Sequence, residues 1–152
     1  MTGVRDAVAG VPDPELPVVT IAELGILRAV AVDDTGHVTV TITPTYSGCP
    51  ALDAIRADVT AAAHRAGHRS VEVRTVLSPP WSTDQITAGG RAKLAAAGID
   101  PPPERSLLRI ARRCPRCGSP ETEELSRFGA TACKALWRCR SCAEPFEAVK
   151  TR

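Results

Sequence analysis

Aromatic side chains are scarce in this chain. Its 152 residues hold two Trp, one Tyr and two Phe, so alanine, valine, leucine and isoleucine must fill any core. No apolar run approaches the roughly 18 residues that a membrane helix needs. Met1 to Gly10 lacks the charged and apolar regions of a signal peptide. A soluble, cytoplasmic protein with no membrane partner is therefore expected. There is no Glu-x-x-His pair for a di-iron site, no glycine-rich dinucleotide loop and no plant-type cluster spacing. These absences favour a non-enzymatic role.

Charge is unevenly placed. Residues 1–103 carry eight basic and eleven acidic side chains; residues 104–152 carry eleven basic and six acidic. Four thiolates around one divalent cation would remove about two positive charges from that tail. The remainder is too weak a basic field to argue for nucleic acid by itself.

Five of the six cysteines follow residue 113. In a cytoplasmic chain such clustering points to metal rather than disulfides. Cys114-Pro115-Arg116-Cys117 and Cys139-Arg140-Ser141-Cys142 are two Cys-x-x-Cys pairs, with twenty-one residues between the inner cysteines. Two tight turns of this kind complete a tetrahedron of sulfur. The spacing predicts one structural metal ion on Cys114, Cys117, Cys139 and Cys142, with zinc favoured over iron. A closed four-thiolate site has no open position for catalysis. Strands are expected at Leu107–Arg112, Leu125–Phe128, Ala135–Arg138 and Phe146–Val149. Together they make a small β-rich zinc ribbon over 107–150. Cys133 lies between the pairs and reads as a buried small residue, with a cluster-ligand role as the alternative.

Ahead of the ribbon, residues 101–106 read as a proline-rich linker after Ala97-Gly98. Residues 1–100 read as an α+β domain, a small sheet covered by helices. A short helix is expected at Val4–Ala9. Pro12, Pro14 and Pro17 exclude helix from their segment. Ile26–Val32 and the alternating Val38–Thr43 form a hairpin. Pro50–Ala66 is an amphipathic helix with Leu52, Ile55, Val59, Ala62 and Ala66 on one face. A third strand covers Val71–Leu77, and a second main helix Asp84–Ala97.

Cys49 stands apart. With Pro50 at the first helical position, it would occupy the helix N-cap, where unpaired N–H groups favour a thiolate. It is a candidate reactive thiol or a metal or sulfur ligand. The competing reading is an inert packing residue. His64 and His68 lie about 20 Å away along the helix, so a Cys–His dyad is not expected.

Several motifs carry a family resemblance. Asp13-Pro14-Glu15-Leu16-Pro17, Leu24-Gly25-Ile26-Leu27, Thr43-Pro44-Thr45 and Gly48-Cys49-Pro50 resemble the iron–sulfur assembly domain of SufT-like proteins. With Pro79-Pro80-Trp81-Ser82-Thr83-Asp84, the ribbon and Phe128-Gly129-Ala130-Thr131-Ala132-Cys133-Lys134, nearly the whole chain resembles the PaaD family of phenylacetate degradation. The resemblance implies an accessory role beside the oxygenase that epoxidises phenylacetyl-CoA. It implies help in assembling or inserting an iron–sulfur cluster, held transiently if at all. The implied partners are reductase or oxygenase components and the iron–sulfur assembly machinery. The family's cysteine falls on Cys49 and its acidic loop on Asp13 and Glu15. Two departures are Gln85 and the tail Glu147-Ala148-Val149-Lys150, which lacks aromatics. The competing functions are a rubredoxin-like electron carrier, with iron in the ribbon, and a nucleic-acid-binding ribbon.

Overall fold

The computed structural model describes residues 2–45, 49–101 and 112–150. The chain divides into two compact units, Met1–Trp81 and Ser82–Arg152. The expected limit lay near residue 100. The units part earlier because Ile99–Asp100, just before the proline cluster, is hydrogen-bonded into the ribbon sheet. Pro102 to Ala111, which include most of the expected linker and of the Leu107–Arg112 strand, lie outside the described residues.

The first unit runs α1 (Thr2–Ala9), β1 (Leu27–Val32), β2 (Val38–Ile42), α2 (Leu52–Arg65) and β3 (Val71–Thr75). Its three-stranded sheet has the order β1-β2-β3, antiparallel across the hairpin and parallel between β2 and β3. The period of two in β2 does what it predicts. Val38, Val40 and Ile42 are fully buried and the intervening threonines half-buried. Helix α2 crosses between the parallel strands and buries Ile55, Val59, Ala62 and Ala63. Full burial of Ile55 or Val59 contributes about 1.5–3 kcal/mol over leaving it exposed. Ala66 is exposed instead of completing that face, because the helix ends at Arg65 and Gly67 turns away at φ 95°.

The proline-rich segment closes on itself. Pro12 bridges Thr20, and Asp13 N–H donates to Val19 O at 3.0 Å. The buried Asp13 carboxylate accepts the N–H groups of Glu15 and Leu16 at 2.9 and 2.8 Å. Trp81 is the aromatic of this core, and its indole N–H donates to Leu24 O at 2.7 Å.

In the second unit the expected Asp84–Ala97 helix is two pieces, a 3-10 turn (Thr83–Gln85) and α3 (Ala88–Ala96). Ile86 and Thr87 are extended between them. The Thr87 hydroxyl accepts Gly90 N–H at 3.0 Å and so caps a new helix. The sheet order is β4-β7-β6-β5, with β4 at Ile99–Asp100, β5 at Thr122–Ser126, β6 at Lys134–Cys139 and β7 at Pro145–Val149. The strand expected at Leu125–Phe128 lies nearer the first knuckle. It stops at Ser126 because the Ser126 hydroxyl takes Phe128 N–H at 3.0 Å and turns the chain.

Both knuckles need a left-handed residue after their second cysteine. Gly118 has φ 74° and Ala143 has φ 63°. Ala143 is the non-glycine residue with positive φ among those described. This conformation costs an L-residue roughly 1–2 kcal/mol, of which glycine's larger unfolded-state entropy takes back part. Ala143→Gly is expected to stabilise the metal-loaded ribbon by about 0.5–1 kcal/mol. Gly118→Ala, whose Cβ would meet nothing within 4 Å, should destabilise it by a similar amount. Thermal melts of the zinc-loaded variants measure both.

Candidate metal centre

Four sulfurs meet where the turn Cys114–Gly118 faces the turn Cys139–Ala143. The four Sγ atoms of Cys114, Cys117, Cys139 and Cys142 all lie within 4.8 Å of one another. Two of these contacts join one knuckle to the other: Cys114 to Cys142 at 3.7 Å and Cys117 to Cys139 at 3.6 Å. Four sulfurs about 2.3 Å from one tetrahedral ion would be about 3.8 Å apart. A disulfide needs about 2.05 Å. The spacing therefore fits a shared metal ion and not a cross-link.

Backbone bonds set the turns. Gly118 N–H donates to Cys114 O at 2.8 Å, Cys114 N–H to Ser119 O at 2.9 Å, and Cys139 N–H to Glu144 O at 2.9 Å. Arg140 N–H donates to Glu121 O at 2.8 Å and ties the second knuckle to the segment entering β5. Cys114 and Cys139 are buried, with Phe146, Ala148 and partly buried Trp137 packed in the same cluster. Cys117 and Cys142 face outward.

The thiols are unequal before an ion enters. Cys139 is lowered to about 6, first by the N–H of Cys142 and further by that of Ser141. Cys142 receives the N–H of Glu144, which favours its thiolate, yet lost hydration and the neighbouring sulfurs push it up to about 12. Cys117 is raised as well: the Ser119 N–H pulls it down, but lost hydration and the Cys139 thiol outweigh that pull. Four like charges this close cannot coexist in the absence of a cation. A divalent ion removes that conflict and lets all four ionise.

Cys133 does not join them. It precedes Lys134 at the opposite end of β6 from Cys139, about 20 Å away at strand rise. Its Sγ lies 3.1 Å from the Thr131 hydroxyl, and its carbonyl accepts Lys150 N–H at 2.8 Å.

Cys49 is half-buried, but it is not the N-cap of α2. That position is Ala51, which has no side-chain cap. The Cys49 carbonyl accepts Leu52 N–H at 3.1 Å. Cys49 thus opens a single tight turn that runs into the helix. Pro50 and Ala51 fill the positions expected for the helix itself. Tyr46 to Gly48, just before it, lie outside the described residues. Asp13 organises its own loop through Oδ1, and Glu15 follows it half-buried.

Many ribbon arginines are matched by acids. Glu123 accepts from Arg138 at 2.6 Å and from Arg140 at 2.9 Å, and Glu144 from Arg116 at 2.7 Å. Arg112 reaches Asp100 at 3.6 Å and donates to Val149 O at 2.6 Å. The charge count showed a basic tail but not these partners; that of Arg138 arrives through the β5–β6 register, which sets Glu123 opposite it.

Two family models match separate stretches of the chain. Residues 100–150 match the PaaD zinc beta ribbon domain, and residues 2–75 match an iron–sulfur cluster assembly protein family. The chain is 46% identical over 143 residues to a subunit of the Escherichia coli (strain K12) "Putative 1,2-phenylacetyl-CoA epoxidase", covering 92% of this chain and 86% of that one. It is 38% identical to the Staphylococcus aureus protein named Fe-S protein maturation auxiliary factor SufT, over 56% of this chain and 97% of that one. A crystal structure of a domain of unknown function from Bacillus anthracis superposes with a TM-score of 0.57 at 29% identity, over 61% of this chain and 89% of that one. The family expectation, the α+β fold and the metal-binding ribbon hold together on these grounds: this chain belongs to the PaaD family, with an iron–sulfur-assembly-type domain followed by a zinc ribbon.

Proposed function

We propose that this chain is an accessory, non-catalytic protein of aerobic phenylacetate breakdown, and that it assists iron–sulfur cluster assembly or insertion. Its client is a reductase or oxygenase component of the system that epoxidises phenylacetyl-CoA. The observation that carries the reading is a division of sulfur chemistry within one chain. Four thiols close on one another in the ribbon, while a single half-buried cysteine begins the tight turn leading into α2 in the other unit. Zinc is the resident ion of the ribbon, held by Cys114, Cys117, Cys139 and Cys142. With four ligands it is coordinatively closed and acts by ordering the small cluster of Phe146, Ala148 and Trp137 packed beside the sulfurs. The iron, sulfide or cluster in transit is cargo, and Cys49 is the thiol that handles it. Asp13 supports that role by fixing the loop that also carries Glu15. Both modules work in the cytoplasm, the residues to about 100 with the cargo and the ribbon with the client.

The sequence similarity to maturation factors and to an epoxidase component supports this reading. The paired arginines weigh against a nucleic-acid surface, since a guanidinium already bonded to a carboxylate has less to offer a phosphate.

Two outcomes test it. Protein purified without oxygen should be colourless and hold one zinc per chain. Its affinity for zinc should fall as pH falls, because Cys117 and Cys142, both raised without the ion, must each release a proton to bind. Competition with a colorimetric chelator across pH measures this, and iron in the ribbon would overturn the zinc assignment. Cys49→Ala should leave zinc content and melting unchanged but lower cluster loading of the reductase in cells. A fully loaded reductase alongside that variant would remove Cys49 from the mechanism.

A further inference from the structure

The end of the ribbon remote from the metal carries a loop built for display. Between β5 and β6, Gly129 N–H donates to Lys134 O at 2.9 Å and Lys134 N–H to Thr131 O at 3.2 Å. The Glu147 carboxylate braces the loop from β7. One oxygen takes Ala130 N–H at 3.0 Å, and the other lies 3.4 Å from the ammonium of Lys134, a lysine only 6% exposed. A Cβ on Gly129 would stand 2.9 Å from that carboxylate and 3.0 Å from Lys134 O, so a larger residue here must push the Glu147 brace aside and press on the Lys134 carbonyl. On this braced loop Phe128 is 81% exposed. None of these loop bonds involves the Phe128 ring.

Charge says what would cover it. The Lys150 ammonium sits 5.3 Å from the centre of the Phe128 ring, and the exposed Arg127 precedes it. Arg116, Arg138 and Arg140 have carboxylate partners. Among the described residues, Arg127 and Lys150 have no ion pair. A rigid aromatic flanked by two unmatched cations suits an apolar pocket rimmed by carboxylates, where an anchor residue carries most of the binding energy.

We propose that Phe128, Arg127 and Lys150 form the docking surface for a protein partner with an acidic-rimmed apolar pocket, and that this partner is a component of the phenylacetyl-CoA-epoxidising system. The choice of partner rests on the client reading above.

The test titrates zinc-loaded full-length chain against the purified reductase and the purified oxygenase in separate calorimetric experiments. One component should bind. Phe128→Ala should weaken that binding at least about tenfold, and the pair Arg127→Glu with Lys150→Glu should weaken it further and flatten its salt dependence. Leu77→Ala, which removes a comparably exposed side chain from the other unit, should bind as the parent does. Zinc content and melting temperature confirm that each variant is folded. If a component binds the parent and the Phe128 and charge variants equally, the surface is wrong and the client reading stands. If neither component binds the parent, both are wrong.

Discussion

Mutual repulsion among four thiolates governs the second unit. Their sulfurs approach to 3.6 and 3.7 Å across the knuckles, a spacing that only a shared cation makes favourable. The rest of the ribbon follows from holding them there. The residue after each pair turns left-handed, β6 delivers Cys139 directly into its knuckle, and Phe146 and Ala148 pack beside the two buried sulfurs. Among the described residues the cluster beside the sulfurs is small, so metal binding is expected to contribute much of this unit's folding free energy. The same closure removes the ion from chemistry. An ion that binds four protein sulfurs has no position to exchange.

Different constraints shape the first unit. Three prolines between residues 12 and 17 remove N–H donors from a segment that must still turn twice. The donors left are collected by the Asp13 carboxylate and by neighbouring carbonyls. Among the described residues the sheet is three strands wide, so both outer strands have open carbonyls. A guanidinium reaches each edge: Arg5 bonds Val30 O at 3.2 Å, and Arg56 bonds Val73 O at 3.3 Å. Cationic side chains on edge strands discourage pairing with another chain. They let a small sheet persist without a fourth strand.

How much was legible depended on whether the signal was local. The Val/Thr alternation of β2 and the paired Cys-x-x-Cys turns are local, and both appear as expected. Capping was the weaker guide. Thr87 restarts a helix that periodicity ran through continuously, because a hydroxyl accepting Gly90 N–H outweighs the weak apolar pattern of 84–97. Cys49 missed the N-cap for a related reason: an initial tight turn shifted the start of α2 by two residues. Arginine partners were invisible, since Glu123 meets Arg138 only when β5 pairs with β6 in a defined register. The Phe128–Lys134 motif was seen as a family mark. Its physical content, a loop braced by Glu147 from another strand, required the fold.

Charge pairing then bears on what the basic tail is for. If its cations were meant for a polyanion, they would lie unmatched along one face. Instead, Glu123 holds two of them and Glu144 a third, which uses up their fields inside the ribbon near the metal. The knuckle arginines are thereby engaged by acids within the ribbon, and the four-sulfur site is chemically closed. The exposed Phe128 with Arg127 and Lys150 lies at the other end of the ribbon, and Cys49, the thiol proposed to handle cargo, belongs to the other unit. Under the proposed function, a four-sulfur site with no open position takes no part in handling sulfide or iron, even though Cys117 and Cys142 face outward.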